Sequence, residues 1–329
     1  MPEFIRWGIL GTGRIAHKFA EALTVVPDAE LSAVGSRAQG TAGAFGDEFA
    51  VPRRHATYQS LAEDPEIDAI YVSTPHPMHC RDTLLCLNAG KPVLCEKPFA
   101  LNAREAETMV QCARQRGVFL MEAMWTRFLP TIAQVREWLG DGAIGEVRNM
   151  MADFGFRTEF NPEGRLLNPE LGGGALLDIG VYVVSLASMV YGKQPDRVAA
   201  LADMGATGVD EQTTMAFRYD TGAMAALTCA VRTSTPGAVS IHGTQGNIRI
   251  PTPFYDAYAV ILNVDGEEPV TIEPDRVENG FKYEIEEAGR CLREGLLESP
   301  ALPLDETLAI MRTLDAVRDE IGLKYPMEG

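Results

Sequence analysis

Three residues carry side chains suited to proton transfer at an alcohol or a carbonyl group. Lys97 comes directly after a short apolar run that ends in Cys95-Glu96, and a proline follows it. Asp178 and Tyr182 are four residues apart, so they would share one face of a helix. A nearby ammonium group favours the phenolate and makes a tyrosine a better general base. The alternatives are a solvated lysine, an aspartate that caps a helix, and a half-buried core tyrosine.

A glycine-rich segment near the start predicts a dinucleotide site. Residues 8–16 read G-I-L-G-T-G-R-I-A, so G-x-G-x-x-A lies between the first apolar run and the first helix. Gly11 permits the tight turn, and Gly13 lets the backbone approach a pyrophosphate at the helix N-terminus. A merely structural turn is the alternative. The cofactor contacts predicted here are Gly11, Gly13, Arg14 and Ile15.

The end of the second predicted strand favours NADP over NAD. Residues 34–37 read V-G-S-R and contain no carboxylate for the adenosine 2′-hydroxyl of NAD. Ser36 can donate to a 2′-phosphate, and Arg37 can pair with it and stack on adenine. The alternative is that Arg37 is a solvated arginine in an enzyme that uses NAD.

Two further strand ends are predicted to face the cofactor. The segment S-T-P-H-P-M-H, residues 73–79, follows an apolar strand at the carboxyl edge of a parallel sheet, where ligands bind. We expect His76 or His79 to face the cofactor there, and His79 is also placed to cap the next helix. A plain turn is the alternative. The predicted cofactor contacts at these two strand ends are Thr74, Pro75, His76, His79, Glu96 and Lys97.

Composition narrows the range of partners. The net charge is -17, so the chain lacks the excess of positive charge that binds the phosphates of nucleic acid. No apolar run reaches the roughly 18 residues of a membrane span, and the start lacks the basic flank of a secretory signal, so we expect a cytoplasmic protein. The six cysteines form no C-x-x-C pair and the five histidines are mostly dispersed, so no metal site is predicted.

Apolar and helical patterns predict an α/β fold with two domains. Strands and helices alternate up to about residue 122, as in βαβ units on a parallel sheet. We therefore assign residues 1–122 to a Rossmann domain and 123–329 to an α+β domain for substrate binding and oligomerisation. The first domain has predicted strands at 6–10, 31–36, 69–73, 92–95 and 118–121, and helices at 17–25, 42–49, 80–88 and 103–114.

In the second domain, the strand-like segments between residues 212 and 264 read as a run of adjacent strands joined by tight turns, which favours a predominantly antiparallel sheet. Its predicted strands are 146–157, 197–204, 212–219, 224–232, 239–243, 247–251 and 257–264, and its helices are 130–139, 179–191, 281–298 and 305–321.

These motifs in this order resemble the Gfo/Idh/MocA family of NAD(P)-dependent oxidoreductases over essentially the whole chain. Residues 122–130, E-A-M-W-T-R-F-L-P, are similar to the dimeric dihydrodiol dehydrogenase and NADP-dependent D-xylose dehydrogenase branch. The resemblance implies that Lys97 is the catalytic lysine, that Pro98 commonly follows a cis peptide bond, and that the open sheet often forms a dimer face. In the branch segment it adds Trp125 and Arg127 to the expected cofactor contacts.

The resemblance also bears on the proton donor. Much of the family carries histidine where this chain has Tyr182, whereas tyrosine is similar to the dihydrodiol dehydrogenase and glucose–fructose oxidoreductase branches. A phenol is therefore expected as the acid/base, with Lys97 as its electrostatic partner and Asp178 orienting the pair. The neighbourhood of Arg157 and Arg165 is expected to line the substrate pocket. The expected substrate contacts are Phe156, Arg157, Asp178 and Tyr182.

The expected function is an NADP-dependent dehydrogenase that moves hydride between nicotinamide and a secondary carbinol of a sugar, polyol or cyclic trans-diol. Its expected catalytic residues are Lys97, Tyr182 and Asp178, and its expected assembly is a homodimer or a higher homo-oligomer. Two alternatives stay open. One is a reductase of a sugar-derived ketone or imine, and the other is a regulator that senses NADP without catalysis.

Overall fold

The computed structural model describes residues 4–275 and 279–328, which divide into two compact units. Unit 1 contains the described residues up to Trp125 together with residues 279–308. Unit 2 contains residues 126–275 and 309–328. The predicted division near residue 122 therefore differs from the structure in one segment, because residues 279–308 follow unit 2 in sequence but pack in unit 1.

The predicted parallel sheet forms the centre of unit 1, and it has six strands. Its strands are β1 (Ile5–Leu10), β2 (Ala29–Gly35), β3 (Arg53–His55), β4 (Ala69–Val72), β5 (Val93–Glu96) and β6 (Leu120–Ala123). They lie in the order β3-β2-β1-β4-β5-β6. This order reverses between β1 and β4, and such a reversal opens a crevice at the carboxyl ends of the strands.

Six α-helices of the described residues lie wholly within unit 1. They are α1 (Arg14–Leu23), α2 (Gln39–Glu48), α3 (Tyr58–Ala62), α4 (His79–Asn88), α5 (Ala103–Arg116) and α8 (Phe281–Glu294). The sequence did not predict β3 or α3, because segments of three and five residues are too short to show a period. Helix α8 packs on α1 through a buried apolar face, and Arg293 pairs with Asp28 at 2.5 Å. This packing explains why residues 279–308 return to unit 1.

An eight-stranded sheet dominates unit 2, in the order β14-β13-β12-β11-β7-β10-β9-β8. Its strands are β7 (Val147–Gly155), β8 (Arg197–Met204), β9 (Asp210–Arg218), β10 (Met224–Ala230), β11 (Val239–Gly243), β12 (Gly246–Ile250), β13 (Val260–Val264) and β14 (Val270–Ile272). All neighbouring pairs are antiparallel except β7 and β10, which are parallel. The expectation that β10 and β11 are adjacent is wrong, because β7 lies between them.

The two faces of this sheet differ in burial because side chains alternate along each strand. One face is buried, with helices α6 (Pro130–Gly140) and α7 (Val181–Tyr191) among its neighbours in unit 2. On the other face, β-pairing aligns Ala199, Ala216, Ala226 and Met151 across four strands. Leu201 is 83% exposed on the same face of β8. Helix α9 (Leu304–Ile321) closes the chain.

One helical stretch of unit 2 is long and apolar enough, by length and composition alone, to cross a membrane. It runs from Pro169 to Tyr191 with a mean hydropathy of 1.7. The share of its apolar window that is buried inside the protein is 94%, as in the core helix of a globular unit. The sequence did not single it out because Asp178 interrupts the apolar run.

Candidate active site

The glycine-rich turn of unit 1 leaves an open backbone surface at the N-terminus of α1. Gly11 has φ +108, and a Cβ there would lie 3.0 Å from Ser73 Oγ, so only glycine fits. A Cβ at Gly13 would meet nothing within 4 Å, and Gly13 precedes α1 without a side-chain cap. Arg14 is exposed and Ile15 is half-buried. The first amides of α1 are therefore open to an anion.

The residues that follow β2 leave a cation exposed. Ser36 is buried, and its hydroxyl group lies 2.6 Å from Thr41 Oγ1. Arg37 is exposed, and its guanidinium makes no hydrogen bond or ion pair with any residue that the structure describes. It borders a cavity of about 560 Å³ that is also lined by Tyr58, Arg81 and Leu85.

The turn after β4 corrects the expectation for one histidine. His79 is fully buried, its Nδ1 lies 2.8 Å from Pro98 O, and its Nε2 lies 2.7 Å from Thr74 O. Burial lowers the pKa of His79, and the two carbonyl contacts oppose that shift. The imidazole therefore neither caps α4 nor offers a nitrogen to a cofactor, because both nitrogens face backbone oxygens of two loops.

The neighbours of His79 remain candidates for ligand contact. Thr74 is buried, and its hydroxyl oxygen has no hydrogen-bond partner within residues 4–275 and 279–328. Pro75 is exposed, and His76 is buried with its ring centroid 5.7 Å from that of His79. A buried hydroxyl group without a partner at the crevice fits a bound polar group.

Glu96 and Lys97 end β5 in a tightly bonded turn. The buried Glu96 carboxylate accepts hydrogen bonds from the Tyr71 hydroxyl group and from the Lys97 amide, the latter at 3.1 Å. The Lys97–Pro98 peptide bond is cis. Lys97 itself is half-buried, and its backbone amide is fixed by the Glu96 carboxylate.

Sequence reasoning missed a buried carboxyl group beside this turn. Glu284, on α8, is fully buried, and neither carboxyl oxygen has a hydrogen-bond partner among the residues described. Burial, and then the charge of Glu96, raise its pKa well above the usual range. A charged position on an amphipathic helix normally faces solvent, so the sequence carried no signal for this burial.

The branch segment is divided between the units. Trp125 ends the first stretch of unit 1 and stacks on Phe281, with ring centroids 5.2 Å apart. Arg127 belongs to unit 2 and is buried, and its carbonyl oxygen accepts a hydrogen bond from Arg136 at 2.5 Å. The stacking of Phe281 was not predicted because it comes from a helix far along the chain.

Unit 2 pairs Asp178 with an arginine from a preceding loop. Asp178 is buried, and its Oδ1 lies 2.6 Å from Arg165 Nη1. The alternative that Asp178 caps a helix does not hold, because Asp178 lies inside a single π-helical turn, Leu176–Gly180, that leads into α7. Such turns are frequent at functional sites. The structure thus places Arg165 next to a predicted catalytic residue.

Tyr182 lies among aromatic rings at the start of α7. It is 8% exposed, and its ring centroid is 5.4 Å from Phe154 and 6.4 Å from Tyr255, both in edge arrangements. Phe154 and Tyr255 stack on each other at 4.3 Å. Sequence reasoning missed both rings, because they come from β7 and from a turn after β12.

Phe156 and Arg157 differ in their relation to this cluster. Phe156 is half-buried, and its ring centroid is 6.4 Å from that of Phe154. Arg157 is exposed, beyond the end of β7, and makes no ion pair with a residue in the described part of the chain. Phe156 therefore adjoins the aromatic cluster, whereas nothing links Arg157 to Tyr182.

Asp210, the first residue of β9, supplies the cap that Asp178 does not. Its Oδ2 accepts hydrogen bonds from the Leu176 amide at 2.8 Å and from the Thr213 hydroxyl group at 2.7 Å. Gly174 has φ +117, and a Cβ there would overlap Asp210 Oδ1. This cap could not be predicted from the sequence because Asp210 lies 34 residues from Leu176.

The predicted residues fall into two groups. Unit 1 holds the glycine turn, Ser36, Arg37, the turn after β4, Lys97 and Trp125, whereas unit 2 holds Arg127, Phe156, Arg157, Asp178 and Tyr182. The pairing of Lys97 with Tyr182 therefore stays a prediction. Over the described ranges, no group of three or more His, Cys, Asp or Glu side chains is arranged to hold a metal ion.

Two family models match this chain. Residues 5–124 match an oxidoreductase family with an NAD-binding Rossmann fold, and residues 132–249 match the GFO/IDH/MocA C-terminal domain. The chain is also 39% identical over 331 residues to a trans-1,2-dihydrobenzene-1,2-diol dehydrogenase of Xenopus laevis. That match covers 98% of this chain and 99% of the relative.

Solved structures share the fold over nearly their whole length. An aldose-aldose oxidoreductase from Caulobacter crescentus, complexed with glycerol, has a TM-score of 0.87 at 25% identity and covers 96% of this chain and 97% of its own. A 3-ketoreductase from Actinomadura kijaniata, in complex with NADP and TDP-benzene, has a TM-score of 0.86 at 28% identity. It covers 97% of this chain and 98% of its own.

Proposed function

The chain belongs to the Gfo/Idh/MocA family of oxidoreductases, and on that premise we propose that it is an NADP-dependent dehydrogenase of trans-diols and sugars. It moves hydride between nicotinamide and a secondary carbinol. The observation that carries the proposal is the set of groups around Tyr182 in unit 2: a phenol, a buried carboxylate paired with an exposed arginine, and stacked aromatic rings. The full-length likeness to dihydrodiol dehydrogenases supports the substrate class.

The residues of unit 1 fit a dinucleotide. The open surface at Gly13 leaves room for a pyrophosphate at the N-terminus of α1, and Gly11 brings the turn close to Ser73. Thr74 adds a buried hydroxyl group without a partner in the described chain. When bound, NADP supplies the acceptor for the hydride, whereas the protein orients the carbinol and handles its proton.

Two guanidinium groups support a preference for the 2′-phosphate. Arg37 and Arg81 border the same cavity as Tyr58. Burial raises the pKa of Tyr58, and the charges of Arg37 and Arg81 both act to lower it, so both cations are near the phenol. Arg81 also pairs with Asp82 at 2.8 Å, whereas Arg37 keeps its guanidinium free of described partners. Arg37 is therefore the better anchor for a phosphate.

We expect NADP to be preferred over NAD, and Arg37→Asp to weaken NADP and improve NAD. A charge-assisted hydrogen bond contributes roughly 1.5–3 kcal/mol, so NADP efficiency should fall by about 10- to 100-fold. Steady-state kcat/KM with each cofactor measures this, and Arg104→Asp, an exposed arginine on α5, is the charge-matched control. Equal or better wild-type efficiency with NAD would show that the cofactor assignment is wrong.

The aromatic cluster also supports the substrate class. Phe154 and Tyr255 present stacked rings beside Tyr182. Such rings pack well against the flat ring of a cyclic diol and against the C–H face of a sugar. Arg165 is held by Asp178 in an ion pair, which limits its use as a carboxylate clamp for a hydroxy acid.

The purified enzyme should oxidise trans-dihydrodiols, or aldoses such as xylose and glucose, and should not oxidise lactate, malate or primary alcohols. The absorbance of NADPH at saturating cofactor measures both reaction directions. A ketone reductase would consume NADPH with a ketone faster than it forms NADPH with an alcohol. Strong activity on lactate or malate, with none on any diol or sugar, contradicts the proposal. Absence of NADPH turnover with every carbonyl and carbinol would instead favour a regulator.

Proton transfer is assigned to Tyr182 and Lys97. As the carbinol C–H bond breaks and hydride leaves, the hydroxyl O–H bond must release its proton, and the Tyr182 phenolate accepts it. Phenols have an ordinary pKa near 10, so a neighbouring cation is needed for a base at neutral pH. Lys97 supplies that charge, and Asp178 orients the phenol. In the reductive direction Tyr182 returns the proton to the alkoxide.

Tyr182→Phe and Lys97→Met should each lower kcat by roughly 10²–10⁴-fold while NADPH binding stays measurable. The double variant should lose far less than the product of the two, because the residues act as one unit. Oxidation by the wild type should accelerate as the pH rises through the tyrosine pKa. Tyr191→Phe and Lys193→Met, on the same helix and just after it, are matched controls. Near-normal turnover by Tyr182→Phe would show that Tyr182 is a core tyrosine and not the acid/base.

We also propose that the enzyme is a cytoplasmic homodimer that associates through the open face of the unit 2 sheet. The row of Ala199, Ala216, Ala226 and Met151 is apolar and exposed, and Leu201 is 83% exposed beside it. Small side chains in register allow two sheets to pack face to face. The six cysteines form no disulfide, in keeping with a reducing compartment.

Leu201→Glu combined with Met151→Glu should convert the dimer to a monomer, because two charges on each face would be buried without partners. Light scattering after size exclusion measures the mass. Val25→Glu, a change at a similarly exposed apolar residue of unit 1, should leave the dimer intact. A wild-type monomer at micromolar concentration would contradict the proposal.

A further inference from the structure

Asp210 occupies an unusual position for a carboxyl group. It is completely buried at the first residue of β9, and one of its oxygens has no hydrogen-bond partner among the described residues. The other accepts hydrogen bonds from the Leu176 amide and the Thr213 hydroxyl group. A carboxyl group costs free energy when it is desolvated, so its retention here points to something that it holds in place.

The held segment is the π-helical turn that precedes α7. The Leu176 amide opens this turn, Asp178 lies inside it, and Tyr182 follows it in the first turn of α7. Gly174 folds its backbone against the Asp210 carboxyl group with φ +117, a conformation that other residues rarely adopt. The start of the turn is therefore defined by Asp210 and by no side chain within the turn itself.

Two other contacts fasten the same segment. The Tyr325 hydroxyl group donates to Gly173 O at 2.7 Å. A Cβ at Gly180 would lie 2.9 Å from Cys229 Sγ, so the far end of the turn sits directly on β10. Because both ends of the turn are fixed by tertiary contacts, the position of Asp178 follows from where these contacts hold the backbone.

The charge of Asp210 is sensitive to pH near neutrality. Burial raises its pKa to about 7, against hydrogen bonds from Thr213 and Leu176 that lower it. The ionisable groups that interact with it are the Cys229 thiol and the Tyr325 phenol, whose pKa values are both raised mainly by burial. Arg318, Glu328 and Asp178 act on Tyr325 in turn. Amides bind a carboxylate more strongly than a neutral acid, so the cap strengthens as Asp210 ionises.

We propose that Asp210 is a positioning residue for the reaction: its carboxyl group caps the π-helical turn and thereby orients Asp178 and Tyr182 toward the substrate. The inference rests on the proposed function of Tyr182. It adds a second carboxyl group beside that of Asp178, one that touches neither substrate nor cofactor, to the determinants of turnover.

The test compares Asp210→Ala, which removes the cap, with Asp210→Asn, which keeps a side-chain oxygen for the Leu176 amide. Asp210→Ala should lower kcat by about 10²-fold, since misplacement of about 1 Å has effects of this size, with KM for NADP changed less than about twofold. Asp210→Asn should recover most of kcat. Asp196→Asn, an exposed carboxylate paired with Arg218 of β9, is the control and should match the wild type.

Two further readouts separate positioning from general destabilisation. The wild-type kcat for oxidation should show an inflection near pH 7, where Asp210 ionises, and Asp210→Asn should lack it while keeping the rise at higher pH. Amide exchange in a peptide covering residues 174–183 should be faster in Asp210→Ala than in the wild type, with the unit 1 sheet unchanged.

Stability gives an independent check on the charge state. An aspartate whose pKa is raised in the folded protein keeps its proton up to about pH 7, whereas the unfolded chain loses it from about pH 4. The contribution of Asp210 to the free energy of unfolding therefore decreases as the pH rises between these values and is constant above them. Asp210→Asn should remove this decrease.

Several results would overturn the inference. Asp210→Ala with kcat within about twofold of the wild type would do so, as would a pH 7 inflection that persists in Asp210→Asn. Should Asp210→Ala not fold, a loss of kcat in Asp210→Asn matched by an equal loss of folded protein would likewise assign Asp210 a structural role only. A wild type that turns over no diol, sugar or ketone would refute the proposed function, whereas the exchange and stability measurements would still report on the cap.

Discussion

The close approach of two backbone turns in unit 1 is the constraint on which its ligand surface depends. Gly11 packs against Ser73 so tightly that a Cβ would lie 3.0 Å from the serine oxygen. This contact joins the ends of β1 and β4, where the strand order reverses. The first residues of α1 and Thr74 follow these two strand ends, and His79 ties the turn after β4 to Pro98, next to Lys97. Steric restriction at one glycine thus organises several contacts.

In unit 2, a buried carboxyl group fixes the backbone that carries the candidate site residues, whereas in unit 1 a close glycine contact does so. The turn before α7 contains Asp178 and leads to Tyr182, yet it has no capping side chain of its own. Asp210 takes that role from the neighbouring strand, and Gly174 allows the backbone to close around it. Burying the Asp210 carboxyl group lowers the stability of the fold. Such local destabilisation is common at sites where a defined geometry is needed.

The aromatic surround of Tyr182 depends on both sheet and helix packing. Phe154 projects from β7, which pairs with β10 in parallel and β11 in antiparallel arrangement. That placement puts a ring beside α7 and against Tyr255. Had β10 and β11 been adjacent, as the run of strands suggested, β7 would lie elsewhere. The mixed sheet is therefore a condition of the aromatic cluster.

The sequence by itself determined the features that local chemistry controls. A glycine pattern between a strand and a helix, an absent carboxylate near Arg37, and alternating strand and helix periods are readable because each depends on residues near one another. They were enough for the parallel sheet, the family and the type of reaction. The short elements β3 and α3 were not predicted, because a repeating apolar pattern needs more residues than they contain.

Only the tertiary structure decided which side chains meet across long separations. The burial of both His79 nitrogens, the pairing of Arg165 with Asp178, and the cap from Asp210 all join residues on separate elements. Such contacts leave no periodic trace, because a partner many residues away is chosen by sheet order and packing. The return of residues 279–308 to unit 1 has the same cause. The apolar face of α8 is buried against α1, and the sequence of α8 does not say which element will cover it.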